Sequence, residues 1–122
     1  MKYQVIFYEK ENGNEPVKEF LDSLDVKMKA KMFRTISILA ENGPKLREPY
    51  SKPLRDGIFE LRAKVGSDIS RVMYFFVVGQ TIVLTNGFIK KTTRTPEREI
   101  ETAIRYKNDY LLRKGEKDDQ IR

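Results

Sequence analysis

The sequence predicts an α+β fold in the order β-α-α-β-β-β-α, an antiparallel sheet packed against an N-terminal helical hairpin with a C-terminal helix. Three observations predict it. A β-branched and aromatic run opens the chain, two stretches of helical apolar spacing follow, and residues 58–89 hold three strand-like runs separated by glycine-containing turns.

Tyr3-Gln4-Val5-Ile6-Phe7-Tyr8 reads as a strand, ended by the turn-forming Glu-Lys-Glu-Asn-Gly-Asn that follows. With Asn14 as cap and Pro16 in the first turn, Val17, Phe20, Leu21 and Leu24 recur at helical spacing and mark a first helix. A second starts near Val26, where Val26, Ala30, Phe33, Ile36 and Ala40 form one stripe, and Asn42-Gly43-Pro44 ends it. Lys45 to Pro53 lacks periodicity and contains Pro49 and Pro53, so it reads as an ordered loop delivering Lys52 and Arg55 beside the next strand.

Ile58 to Lys64 alternates, Val65-Gly66-Ser67-Asp68 has turn chemistry, and Ile69 to Val78 is apolar except at Ser70 and Arg71. After a turn at Gly79-Gln80, Thr81 to Ile89 completes an antiparallel meander to which the first strand can add. Thr95-Pro96-Glu97 supplies a cap, a first-turn proline and a favourable charge for a last helix marked by Ile100, Ala103, Ile104, Tyr110 and Leu111. Residues 1–113 thus form one domain, and the polar residues 114–122 are expected to be a flexible tail.

Composition restricts the chemistry. The absence of cysteine and histidine excludes disulfides, thiolate nucleophiles, cysteine-ligated zinc and the usual neutral-pH proton shuttle. No cofactor or metal site is expected. No apolar run approaches the roughly 18 to 20 residues needed to cross a bilayer, and the first residues lack the apolar stretch of a secretory signal, so the expected location is cytoplasmic and no membrane partner is expected.

The net charge of +6 is not spread evenly. Residues 1–42 and 99–122 each balance, whereas residues 43–98 carry eleven basic against five acidic side chains. Ile69 to Pro96 has no acidic residue but contains Arg71, Lys90, Lys91 and Arg94. Ordinary surfaces intersperse charges of both signs, so this segment points to a polyanionic partner.

A hairpin turning at Gly66-Ser67 places Leu61 opposite Val72, Phe59 opposite Tyr74 and Arg62 opposite Arg71. Opposed arginines are unfavourable unless an anion lies between them. Glu60, two residues from Arg62 on the same face, is one such anion and would make an internal ion network; a phosphate is the other. Phe88 and Lys90 share a face by alternation, and Lys91 and Arg94 continue into the connection to the last helix.

Two motifs then carry a family resemblance. Lys52-Pro53-Leu54-Arg55-Asp56-Gly57-Ile58-Phe59-Glu60-Leu61-Arg62, followed by Ser70-Arg71-Val72, is one. Asn86-Gly87-Phe88-Ile89-Lys90-Lys91-Thr92, running to Thr95-Pro96, is the other. With the order of elements, these resemble the phage-derived Gp49-like, HigB-type branch of the RelE/HigB toxins over roughly residues 3–112. The resemblance implies a RelE-like fold and a ribosome-dependent mRNA endoribonuclease of a type II toxin–antitoxin system. It also implies inhibition by a cognate HigA-like antitoxin with a helix-turn-helix domain, operator DNA being met only through that partner.

Metal-independent attack by a 2′-hydroxyl fits the residues available. Lys90 or Lys91 is a candidate base, with Glu60 competing, while Arg62 and Arg71 would hold the phosphate oxygens. Lys52, Arg55, Lys64 and Arg94 would position the RNA backbone, and Tyr74 either stacks a base or belongs to the core. The alternatives are a non-catalytic, ParE-like gyrase inhibitor and another nucleic-acid-binding module on the same fold.

Overall fold

The computed structural model describes residues 3–90 and 94–121, with side chains in the last helix described through residue 115. β1 (Gln4–Phe7) leads into α1 (Pro16–Ser23) and α2 (Val26–Asn42), which a 3-10 turn at Gly43–Lys45 follows. Then come β2 (Ser51–Pro53), β3 (Phe59–Val65), β4 (Asp68–Val77), β5 (Thr81–Ile89) and α3 (Glu97–Ile121).

The α+β class stands, with one strand more than the sequence suggests and a mixed sheet in the order β1-β5-β4-β3-β2. β1 runs parallel to β5, with Gln4 opposite Thr81 and Phe7 opposite Leu84. Alternation assigns faces but carries no direction, which follows instead from the path the chain takes between strands. The additional strand, β2, lies within the expected loop and pairs Ser51 with Leu61. Three residues are too few to display a period, and Pro53 is tolerated because β2 is an edge.

The β3–β4 hairpin adopts the expected register, including Arg62 opposite Arg71. Gly66 sits at φ +61°, a conformation glycine enters without steric penalty, and the turn it makes fixes the pairing from Val65–Asp68 onward. In β5 the register to β4 shifts between Val72 and Tyr74, where Val72 faces Gly87 and Tyr74 faces Leu84. This is a bulge, and it brings Asn86 to α3: its Nδ2 donates to the backbone oxygen of Glu99 at 3.2 Å and to its carboxylate at 3.1 Å.

Each face of the sheet has its own core. Leu61, Val72, Tyr74 and Leu84 pack with Val17, Leu21, Met32 and Leu39 beneath α1 and α2. Met73, Phe75 and Val83 pack with Tyr8, Ile58 and Ala103 on the side of α3. The stripe expected on α2 is only partly correct: Ile36 and Ala40 are buried, but Val26 is 85% exposed and Phe33 44%. Met28, Met32, Thr35 and Leu39 form the inward row at steps of four, three and four, with flexible methionine filling space a β-branched side chain would not.

Cap chemistry differs from the expected one at the start of α1. Glu15, not Asn14, occupies the cap of α1, with Pro16 at the first helical position. Asp25 caps α2, accepting from the Met28 N–H at 2.9 Å. Thr95 stands two residues ahead of the first residue of α3, Glu97, and its hydroxyl donates to the Glu60 carboxylate. Leu111 is exposed rather than packed, and α3 continues to Ile121, well past Arg113. Lys, Glu, Asp and Gln dominate those last turns; most favour helix intrinsically, and no core contact is needed to extend one from an existing nucleus.

Candidate functional site

Met73 and Phe75 pack on the α3 side of the sheet, so Arg71, two residues before Met73, faces the same side by alternation. Its cross-strand partner Arg62 and, two residues back, Glu60 share that face. Lys52 stands opposite Glu60 in the β2–β3 ladder. Lys90 follows the end of β5 and donates its N–H to the Ile69 oxygen at 2.9 Å, prolonging the ladder beside Arg71. Five expected site residues, Lys52, Glu60, Arg62, Arg71 and Lys90, therefore converge.

Glu60 is the centre of the group and is fully buried. Arg71 Nη1 and Arg62 Nε (3.2 Å) both donate to Glu60 Oε1, and the Thr95 hydroxyl donates to Oε2. Both oxygens of the carboxylate are thereby engaged, one by the two arginines and the other by Thr95. Arg71 is 2% exposed, and its Nε makes no hydrogen bond among the described residues. Burial pushes the Arg71 pKa down, the Glu60 carboxylate pulls it back up and Arg62 pushes it down again.

One carboxylate does not neutralise four cations. Glu48 adds a second, 3.8 Å from Arg62 Nη1, yet Lys52 and Lys90 still leave the surface positive. Lys90 responds to this field. Burial first, then Arg71, lowers its pKa from the ordinary lysine value; Glu60 opposes, and Arg62 and Lys52 add to the lowering. A larger fraction of neutral amine at a given pH follows.

The remaining expected residues divide. Arg55 is exposed and lies between Asp56 (2.8 Å) and Glu97, so its charge is already answered by two carboxylates, which raise its pKa. Lys64 is exposed two steps along the ladder from Arg62, opposite Ile69. Arg94 is exposed ahead of α3, and Lys91 lies outside the described residues. Of the two readings of Tyr74 the geometry favours the core: it faces α1 and α2 at 1% exposure, stacks on Phe59 and hydrogen-bonds Ser51 at 2.6 Å, leaving no surface for a base. Burial raises its phenol pKa.

Three contributors were not anticipated from sequence. Thr95 carried the signal of a helix cap, which is also what any threonine before a proline carries. Glu48 and Tyr50 lie in a segment without periodicity, and their relation to Arg62 depends on β2: Arg62 N–H donates to the Tyr50 oxygen at 2.8 Å.

The fold and this face define a small α+β protein that presents a positive patch at one end of a mixed sheet. The phage-derived protein Gp49-like family matches residues 19–108, a span containing every one of these site residues, and the chain belongs to that family. The family is toxin-like and associated with the toxins of toxin–antitoxin systems, which suggests an antitoxin partner. No curated protein matches the chain. No described helix is long and apolar enough to cross a membrane.

Proposed function

We propose that this protein is the toxin of a type II toxin–antitoxin system, acting in the cytoplasm as a ribosome-dependent endoribonuclease on translated mRNA. The observation that carries the reading is the buried Arg71, oriented by Glu60 with Arg62 opposite it and Lys90, its pKa lowered, alongside. In this reading neutral Lys90 removes the 2′-hydroxyl proton, and the 2′-oxygen forms a bond to the adjacent phosphorus. Arg71 and Arg62 stabilise the charge that develops on the non-bridging oxygens. The bond to the 5′ oxygen then breaks, leaving a 2′,3′-cyclic phosphate, and the ammonium of Lys52, opposite Glu60 in the ladder, protonates the leaving oxygen. The ribosome would order the mRNA for in-line attack, the part of the barrier that lysine and arginine alone do least to lower. A helix-turn-helix antitoxin of the HigA type would hold the protein inactive.

Brief induction without antitoxin, followed by mapping of transcript 5′ ends, tests this. New ends inside translated reading frames are expected, absent when translation is blocked and absent for Lys90→Ala, whose circular dichroism should match the parent. Intact transcripts during growth arrest would overturn the reading, and a DNA-damage response in those cells would point to a gyrase inhibitor of the ParE type.

A further inference from the structure

A cleft of ≈330 Å³ lies between Lys31 of α2, the Pro49-Tyr50 turn ahead of β2, and the Arg62–Arg71 pair. Lys64 and Ile69, two pairs further along the same ladder, also line it. Its volume is at the lower end of those that bind small molecules. The cleft is contiguous with the proposed reaction site, since it shares both arginines and since Lys90 is bonded through its backbone to Ile69.

The lining has a distinct chemical character. It carries four cations, Lys31, Arg62, Lys64 and Arg71, and no acidic side chain among the described residues. Beside them stand Ile69, Pro49 and Tyr50, the last 40% exposed. Tyr50 is not a loose surface aromatic. Its N–H donates to the Arg47 oxygen at 3.0 Å, and its own oxygen accepts from Arg62, so the backbone carrying the ring is held on both sides. Thr35, 1% exposed, ties its hydroxyl to the Lys31 oxygen at 2.8 Å and so offers the cleft no free polar hydrogen. A flat π surface walled by cations suits a nucleotide: stacking is tolerant of base identity, and the cations meet the phosphates on either side.

We infer that this cleft is a nucleotide subsite, which takes the RNA base next to the scissile phosphate against Tyr50 while Lys31 and Lys64 hold the flanking backbone. The inference rests on the ribonuclease reading for the identity of the neighbouring phosphate, but it concerns residues outside the proposed chemistry. Tyr50 would help determine which sequences are cut.

The test uses the purified full chain and short RNAs made uncleavable by a single 2′-deoxy substitution, with 2-aminopurine placed at one position after another. Stacking on tyrosine quenches this probe. Quenching is expected at one position only, retained in Tyr50→Phe, and lost in Tyr50→Ala together with about a tenfold weakening of binding. Lys64→Gln should weaken binding without abolishing the quench. Identical titrations for Tyr50→Ala and the parent, including binding by neither, overturn the inference. If transcripts prove intact in cells yet the Tyr50-dependent quench is present, the subsite stands and the ribonuclease reading fails. If mRNA is cut at unchanged positions by Tyr50→Ala and the quench is absent, the reverse holds.

Discussion

Arg62 stands directly opposite Arg71 across β3 and β4, and the two donate to the same oxygen of Glu60. Two guanidinium groups on the same rung repel, and neither is stable there without a counter-charge. Glu60→Gln therefore leaves Arg71 buried with a neutral acceptor and a like charge facing it. A stability loss of about 3 kcal/mol is expected, in the range for breaking a buried ion pair from one side. Arg62→Ala should lose less than about 1 kcal/mol, because it also removes the repulsion and leaves Glu60 bound to Arg71 and Thr95. Urea denaturation of both variants at neutral pH checks the order; a larger loss for Arg62→Ala would contradict it.

That pairing was legible in the sequence, and the reason is local. Gly66-Ser67 is a two-residue turn, and once a turn is placed a period of two assigns every partner along both strands. Strand β5 was legible for the same reason. The direction of β1 was not, since Tyr3 to Tyr8 alternates identically whether parallel or antiparallel to its neighbour. On α2 two apolar rows overlap, one through Val26 and Phe33 and one through Met28 and Met32, and apolar character alone does not say which of them meets the sheet. The cationic residues of the site were visible as a charge imbalance, but what they surround was not. Thr95 reaches Glu60 across 35 positions, and Tyr50 meets Arg62 only through β2.

Lys90 makes the proposed reaction sensitive to pH in a definite direction. Its pKa lies below the ordinary lysine value of 10.5, chiefly through burial and Arg71. Single-turnover cleavage on ribosomes should rise with pH through that lowered pKa and then level off, and Lys90→Arg should abolish the rise. Lys52→Gln removes one of the cations that depress Lys90, so its rising limb should move to higher pH; a move to lower pH would argue against Lys90 as the base. The same shift bears on stability. The folded state sheds this proton more readily than the unfolded chain, so Lys90 opposes folding while charged in both states. That opposition fades as pH rises from the folded pKa toward 10.5.

A second titrating group ties the end of β1 to α3. The Tyr8 hydroxyl donates to Asp109 Oδ2 at 2.5 Å, and Arg113 Nη2 donates to the same oxygen at 2.6 Å and to the Glu9 carbonyl at 2.5 Å. Burial, then the bond to Asp109, pushes the Tyr8 phenol up to about 12. The bond from Tyr8, with Arg113, lowers the Asp109 carboxyl from its usual 3.8. The lowered carboxyl contributes stability that is present above pH 3.8 and lost as pH falls through the folded value. The raised phenol contributes stability present below pH 10 and lost as pH climbs toward 12. Melting temperatures of Asp109→Asn should therefore lie below the parent's at neutral pH and converge on them as pH falls from 3.8 through the lowered folded value. Tyr8→Phe should lose about 1 kcal/mol at neutral pH and lack the decline between pH 10 and 12.

Gly87 lies where β5 passes beneath α1, and a Cβ built there would run into the Phe20 ring. The neighbour is an aromatic side chain partly buried against the α1–α2 core, so it has little room to retreat. Gly87→Ala should destabilise by about 1–3 kcal/mol, the range for inserting a carbon into a packed interior. The sharper test is recovery. Phe20→Leu alone should also destabilise, by removing ring contacts, but combined with Gly87→Ala it should lose less than the sum, because the shorter side chain yields the volume the methyl needs. Additive losses in chemical denaturation would mean that the overlap is relieved by movement of β5 rather than of Phe20. A displaced β5 would carry Lys90 with it, so ribosomal cleavage by Gly87→Ala should fall in that case and be preserved when Phe20 alone gives way.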